Sequence, residues 1–309
     1  MKIYSSIDEF YSLNPCVFTI GIFDGVHIGH KKIIKSFFLK KNKKYSSVLL
    51  TFHPHPKEIL SQNEKFLYLN TISERIQNLK KTGIKHLIIH PFTKNFSKLD
   101  IKDFLQKIIY SKIIIVKLIV GYDFHIGRNR CGTYKEIKKL SHIYGFKLLK
   151  IYPYKLKMNI ISSTKIRKSL LLGNIDWANK ALGYFYTLSG YVVKGKGIGK
   201  LIKFPTANLK VNPIKLVPKK GVYAVKIHFL NKIYKGMLNI GINPTISHKE
   251  KNIKIEVHIF DFFKNIYGQK IIISIIKIIR KEIKFNSIKQ LQYQIKQDKI
   301  TIERFFLNT

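Results

Sequence analysis

The chain has 309 residues, 45% of them hydrophobic, so it can bury real cores and is not a disordered polymer. A formal charge of +40 invites a nucleic-acid reading, but only 6 of the 57 basic residues are Arg and the Lys run along nearly the whole length. Readers of phosphate and base edges favour the planar Arg fork, so the excess reads as compositional drift, not as a specific nucleic-acid surface. Two cysteines, Cys16 and Cys131, exclude a disulfide framework and a cysteine-based metal site. The N-terminus lacks the apolar core of a signal peptide, and the longest apolar runs are too short to span a bilayer. The expected setting is the cytoplasm, with no membrane partner.

In chain order, CVFTIGI (16–22) reads as a buried strand. Residues 28–41 follow as a helix, with Ile33, Ile34, Phe37 and Phe38 at helical spacing. SSVLLTF (46–52) is the next strand. Thr71 and Glu74 form a capping-box pattern before a helix lined by Ile72, Ile76 and Leu79, with Gly83 as its stop. HLIIH (86–90) is a strand, 98–111 a helix through Leu105, Ile108 and Ile109, and IIIVKLIV (113–120) a strand. A helix over 133–144 and the strand FKLLKIY (146–152) complete an alternation that predicts a parallel sheet covered on both faces.

Near Gly183 to Phe185 the rhythm changes. TLSGYVVK (187–194), GVYAVKIHFL (221–230), KIYKGMLNI (232–240), IKIEVHIFD (253–261) and KIIISIIKIIR (270–280) read as strands without helices between them. A break at Asn231 predicts a hairpin, and an antiparallel sheet or small barrel is the natural closure. A last helix begins near Ser287, with Ile288, Leu291 and Ile295 on one face.

TIGIFDGVHIGH (19–30) falls where the first strand gives way to the first helix, the place where α/β sheets bind ligands. Gly21, Gly25 and Gly29 allow turning and close approach, and the helix N-terminus offers free N–H groups to phosphate. His27 and His30 share a helical face and can donate to phosphate oxygens as charge develops. The run is neither a Walker loop nor a dinucleotide fingerprint, so it predicts a nucleotide-phosphate site of another kind. ISSTKIR (161–167) places Ser162, Ser163 and Thr164 at a helix start, with Arg167 able to reach phosphates; alone, such a start is an ordinary cap. In the second half, Gly195, Gly197 and Gly199 form a loop before FPTANL (204–209). Thr206 and Asn208 offer hard oxygens suited to Mg²⁺ with ATP, although PTAN in isolation reads equally as a turn. Glu256 projects from the polar face of its strand, where a carboxylate serves as a general base or as a plain surface residue.

The HxGH run resembles the nucleotidyltransferase superfamily. Together with TFHPHP (51–56), GYDFHIG (121–127), ISSTKIR, LGY near Leu182, FPTANL, GVYAV (221–225), NIGINPT (239–245), EVHIFD (256–261), IYG (266–268) and IRKEIKF (279–285), the chain resembles the bacterial bifunctional riboflavin kinase/FAD synthetase family over nearly its whole length. The resemblance implies a Rossmann-like nucleotidyltransferase domain over 1–184 and an antiparallel β-barrel kinase domain with a terminal helix over 185–309. It implies two steps: ATP phosphorylates riboflavin to FMN, and a second ATP adenylylates FMN to FAD with release of pyrophosphate. Under it Glu256 is the kinase base, Thr206 and Asn208 hold Mg²⁺–ATP, and His27 and His30 steady the adenylyl-transfer transition state. Gly21, Phe23, Asp24, Gly25, Gly29, Ser163, Thr164 and Arg167 surround phosphates in the first half, as do Gly195, Gly199 and Lys200 in the second. Tyr122, Phe124, Arg280 and Glu282 are its flavin contacts. Four positions depart from the family pattern: Lys200 for Arg, Lys203 for Gly, His125 for Arg and Thr133 for an acidic residue. Competing readings are a chain with one active half, a different HxGH adenylyltransferase with an unrelated C-terminal module, and a nucleic-acid-binding module.

Overall fold

A computed structural model describes residues 1–38, 45–61, 66–106, 113–195, 197, 199, 204–242 and 253–308, with Leu13 described through its backbone alone. The chain divides into two compact units, Met1–Ser163 and Thr164–Thr309.

The first unit is built on a six-stranded sheet in the order β1-β4-β3-β2-β5-β6, every pairing parallel. The strands are β1 Lys2–Tyr4, β2 Ser12–Ile20, β3 Ser46–Phe52, β4 His86–His90, β5 Ile113–Gly121 and β6 Lys147–Ile151. Alternate residues of one strand enter different cores. Val48, Leu50 and Phe52 of β3 pack with Phe18 and Ile88 on one face, while Leu49 packs with Leu87, Leu79 and Ile34 on the other. Burial on both faces is why these strands read as unbroken apolar runs. The chain reverses direction across the sheet between β2 and β5, where the Thr19 hydroxyl donates to the Ile119 carbonyl at 2.7 Å. The loop after β2 therefore opens at a topological switch point.

The helices of this unit are α1 Ile28–Lys35, α2 Pro56–Leu60, α3 Ile72–Lys80, α4 Ile101–Asp103 and α5 Tyr134–Ile143. α3 carries a complete capping box between Thr71 and Glu74, and Gly83 follows it with φ 83°. One expected helix is shorter than its apolar periodicity: α1 ends at Lys35, with turn at Ser36 and Phe37. The helical backbone begun by α4 continues as a wider turn through 104–106. Ile108 and Ile109, expected on that helix, lie outside the described residues. The sequence reading omitted β1, and it omitted the two-stranded hairpin of β7 Lys155–Leu156 and β8 Asn159–Ile160. Strands of two or three residues are too short to show a period.

The second unit opens with α6 Ser163–Leu172, whose first residue closes the first unit, and α7 Ile175–Leu182. Gly183 then ends α7 in a left-handed conformation, φ 69°. Six antiparallel strands close into a barrel in the order β10-β13-β12-β11-β14-β9. They are β9 Tyr186–Val193, β10 Ala207–Val211, β11 Gly221–Phe229, β12 Lys232–Ile242, β13 Ile253–Ile259 and β14 Lys270–Arg280. The turn between β11 and β12 uses Leu230 and Asn231, both at positive φ as a two-residue hairpin of this hand requires. Asn179 joins α7 to the barrel: its amide donates to the Ile275 and Ile276 carbonyls at 3.0 and 3.3 Å and accepts from Tyr186 N–H at 2.7 Å.

The terminal helix α8, Ile288–Leu307, is capped by Ser287. It packs Ile302 and Phe306 against Val222, Ala224, Met237, Phe260 and Ile276 on the outer barrel wall. Its buried stripe runs through Asp298, Ile302 and Phe306; Ile288, expected on that face, is 65% exposed.

Candidate functional site

The first constellation is a strained loop feeding α1. Phe23, Gly25 and Val26 all have positive φ, at 52°, 84° and 36°. A β-branched residue such as Val26 adopts that region only when its surroundings enforce it, and such strain gathers at functional loops. Phe23 and Val26 are anchored in the core, and Asp24 is 1% exposed. The Asp24 carboxylate accepts from the Leu69 and Asn70 N–H groups, each at 3.0 Å. The Ser163 hydroxyl donates to the Asp24 carbonyl at 2.9 Å, tying ISSTKIR to the loop. Asp24, expected near phosphate, is thus turned into the protein as a brace, where its negative charge is spent on backbone donors.

His27 is the N-cap of α1, its Nδ1 accepting from His30 N–H at 3.3 Å. The two imidazoles stack at 3.6 Å with planes 17° apart. Gly29 makes room for this: a Cβ there would meet the His27 ring at 3.1 Å. Phe23 closes the other side of His30, 5.0 Å between ring centroids. Burial, then the neighbouring charges of His27 and Arg75, press the His30 imidazole well below its ordinary range. It is therefore neutral at pH 7, and its buried Nδ1 has no partner among the described residues. Stacked imidazoles at a helix N-terminus, with backbone N–H groups beside them, suit a developing phosphate charge. Thr164 and Arg167 follow Ser163 on α6. Tyr122 is half-buried after β5, and Phe124 packs against the main core of this unit.

The second constellation lies on the barrel. Asn208 of β10 is the register partner of Glu256 on β13, which in turn faces Asn239 on β12. Cross-strand partners share a sheet face, so the three polar side chains form one row on the face that carries Val222. A concavity there is lined by Gly195, Gly197 and Gly199 on one side and by Thr206, Asn208 and Glu256 on the other, with Lys254 and Tyr267 at its margin. The glycines are sterically required at two positions. A Cβ on Gly195 would run into the Asn208 amide, and one on Gly199 would meet the Phe204 carbonyl at 2.5 Å and Thr206 Oγ1 at 3.0 Å. Glu256 pairs with Lys254 at 2.8 Å. His258, two residues along the same face, lies 2.8 Å from the Pro205 carbonyl through Nδ1. Burial holds its ring below the ordinary range, so a neutral Nδ1–H donor fixes the turn that presents Thr206. Thr206 and Asn208 offer hard oxygens suited to Mg²⁺ beside the Glu256 carboxylate, and the described residues contain no cluster of three His, Cys, Asp or Glu.

The family model for FAD synthetase matches residues 10–165, and the one for riboflavin kinase matches residues 182–306. A bifunctional riboflavin kinase/FMN adenylyltransferase of Buchnera aphidicola subsp. Acyrthosiphon pisum is 37% identical over 99% of this chain and 98% of its own. One from Bacillus subtilis is 36% identical over 94% of this chain and 93% of its own. The chain belongs to the bifunctional riboflavin kinase/FMN adenylyltransferase family. A crystal structure from Streptococcus pneumoniae, described as a macrolide-efflux protein, superposes with a TM-score of 0.89 at 28% identity, covering 98% of both chains. No described helix of the present chain is long and apolar enough to cross a membrane.

Within this family frame, the residues expected to hold flavin divide. Arg280 is committed to Asp298 of α8 by a bidentate pair, with contacts of 2.8 to 3.0 Å, and Glu282 accepts from Ile242 N–H at 3.1 Å. Both therefore hold the barrel rim. Two departures from the family pattern have local accounts. Thr133 caps α5, accepting from Glu136 N–H at 3.4 Å, a place an acidic residue fills equally well. His125 sits between the Asp123 carbonyl and the Arg130 guanidinium. Lys200 and Lys203 lie outside the described residues. Sequence reading missed Arg75, His53, Asn239 and His258. The signal for His258 was its two-residue spacing from Glu256; Arg75 gave none, being one more cation on a helix of mixed character.

Proposed function

We propose that residues 1–184 adenylylate FMN and residues 185–309 phosphorylate riboflavin, so that one chain makes FAD from riboflavin and two ATP. The observation that carries this reading is the coexistence of two separate constellations: the stacked His27–His30 pair at a sheet switch point, and the Asn208–Glu256 row against a glycine loop.

In the barrel, the ribityl 5′-hydroxyl gives its proton to Glu256 as its oxygen attacks the γ-phosphorus and ADP departs. Gly195 and Gly199 leave room beside Asn208 and Thr206 for the phosphates, and the family resemblance adds the charge of Lys200. Thr206 and Asn208 hold Mg²⁺, which when bound neutralises phosphate charge. In the sheet unit, an FMN phosphate oxygen attacks the ATP α-phosphorus and pyrophosphate departs. His27, His30 and the N–H groups from Gly25 to Gly29 stabilise the charge that grows on the α-phosphate oxygens. The family resemblance adds Ser163, Thr164 and Arg167 on phosphates, and Tyr122 and Phe124 beside the flavin. No covalent enzyme intermediate forms. Two free thiols fit a cytoplasmic setting.

The test is direct. Purified chain with ATP, Mg²⁺ and riboflavin is followed by chromatography, and both FMN and FAD are expected. Absence of both products overturns the reading.

A further inference from the structure

Arg75 of α3 is fully buried. Its Nη1 donates to the Ile22 carbonyl at 3.1 Å and to the Phe52 carbonyl at 3.2 Å, and lies 3.5 Å from Thr51 Oγ1. Thr51 Oγ1 itself donates to the Ile22 carbonyl at 2.9 Å. Ile22 belongs to the loop that leads into His27, and Phe52 ends the strand that leads into His53. One cation thus ties together the two loops that leave the C-terminal ends of neighbouring strands. The guanidinium also lies 5.8 Å from the centre of the Tyr68 ring, next to the Leu69–Asn70 backbone that braces Asp24.

A buried Arg carries a desolvation cost of several kcal/mol, and an apolar residue of similar size would fill the space without it. Packing alone does not account for a charge at this position. Its electrostatic reach does: two imidazoles sense it. His30 faces His27, Arg75 and the Phe23 ring. His53 faces Arg75, Glu58 and the Tyr68 ring. In both, burial is the leading cause of a lowered proton affinity, and the Arg75 charge adds to it.

We propose that Arg75 is a positioning residue for FMN adenylylation, acting through the two loop ends that its Nη1 holds and through its fixed charge beside the histidines. This rests on the assignment of His27 and His30 to that reaction.

The test compares Arg75→Met and Arg75→Lys in the full chain, following FMN to FAD across pH and riboflavin to FMN in the same preparations. With Met, FAD formation falls about a hundredfold, as expected for a reacting geometry loosened by about an ångström. The acid limb of its rate profile also moves to higher pH, because without the cation His30 takes up a proton more readily. FMN formation stays at the wild-type level. Lys keeps the charge but is one atom shorter and does not reach the place where Nη1 bonds both carbonyls, so the acid limb stays in place while the FAD rate remains below wild type. A Met variant with an unmoved acid limb, or with wild-type FAD formation, overturns the proposal. Should the Met variant not fold, the Lys variant decides: a displaced limb or a full rate overturns it. Wild-type FAD formation by His30→Ala overturns instead the site assignment beneath it.

Discussion

Glu256→Gln separates the chemistry of the barrel from its stability. Gln is nearly isosteric with Glu and leaves the backbone pairings of β13 with Asn208 and Asn239 intact. The structural loss is the 2.8 Å ion pair with Lys254, whose side chain is 30% exposed against 21% for Glu256. A partly exposed pair of this kind contributes about 0.2–1 kcal/mol, which lowers Tm by a few degrees at most, on the order of 2–4 °C per kcal/mol in a unit this size. Removing a general base costs about 10²–10⁴ in rate, which is ~2.7–5.4 kcal/mol of barrier. The two ranges do not overlap, so rate and stability discriminate the roles. Riboflavin with ATP and Mg²⁺ should yield FMN at least about a hundredfold more slowly. FMN supplied directly should still become FAD at the wild-type rate. FMN formation within a few-fold of wild type would refute the assignment of Glu256 as base. Parallel loss of FAD formation would refute the separation of the two sites.

His30→Ala should do the reverse, lowering FMN-to-FAD conversion by about 10²–10³ while riboflavin phosphorylation continues; equal loss of both activities counts against it. Asp298→Asn removes the buried carboxylate that binds Arg280 bidentately and accepts from Gln294 at 2.9 Å. Because Arg280 is partly exposed, the cost should be about 2 kcal/mol, below the full figure for breaking a buried pair, and the urea midpoint should fall accordingly; an unmoved midpoint shows that the pair contributes nothing net. Stability should also fall with acid. His30, His53, His86 and His90 all have lowered proton affinity in the fold, chiefly through burial. The unfolded chain binds more protons at these four sites, so their contribution is present above about pH 6.5, the unfolded value, and is lost as pH falls through the folded values. His90 Nδ1 accepts from Ile7 N–H at 3.2 Å, so the N-terminal segment should lose hydrogen-exchange protection first. A Tm that is flat or rising between pH 7 and pH 5 refutes this.

Much of the fold is legible because its elements have long, clean periods. The longer strands of both units, β10 apart, were readable as apolar runs or alternations, and HLIIH and KIIISIIKIIR coincide with β4 and β14. The hairpin at Asn231 and the caps at Thr71 and Ser287 are local chemistry, so they too were readable. β10 was not. Its five residues begin at Ala207, directly after Pro205 and Thr206, and carry Asn208; Pro and Asn signal a turn locally. Pairing with β9 and β13 makes the segment a strand, and that long-range pairing leaves no mark on its own sequence. The unit boundary behaves likewise. The composition changes near Gly183, yet α6 and α7 cluster with the barrel because of contacts such as those of Asn179.

The site residues divide by the same logic. His27, His30, Thr206 and Glu256 are readable because their chemistry requires a residue type at a fixed place relative to a strand end or strand face. Asp24 sits inside the same motif, and its type suggested a role at phosphate. Its bonds to Leu69 and Asn70 add a bracing contact that its type did not announce. Arg75 is the converse case. Nothing in the helix ISERIQNLK marks it apart from the abundant cations of this chain, yet it is the largest side chain among the fully buried ones. In a chain with 57 basic residues a single cation carries little information in sequence. Burial supplies what sequence withholds, because a charge kept away from water persists only where carbonyls such as those of Ile22 and Phe52 hold it. A lysine, one atom shorter, would not set its nitrogen where Nη1 bonds both carbonyls, so the contact depends on arginine here.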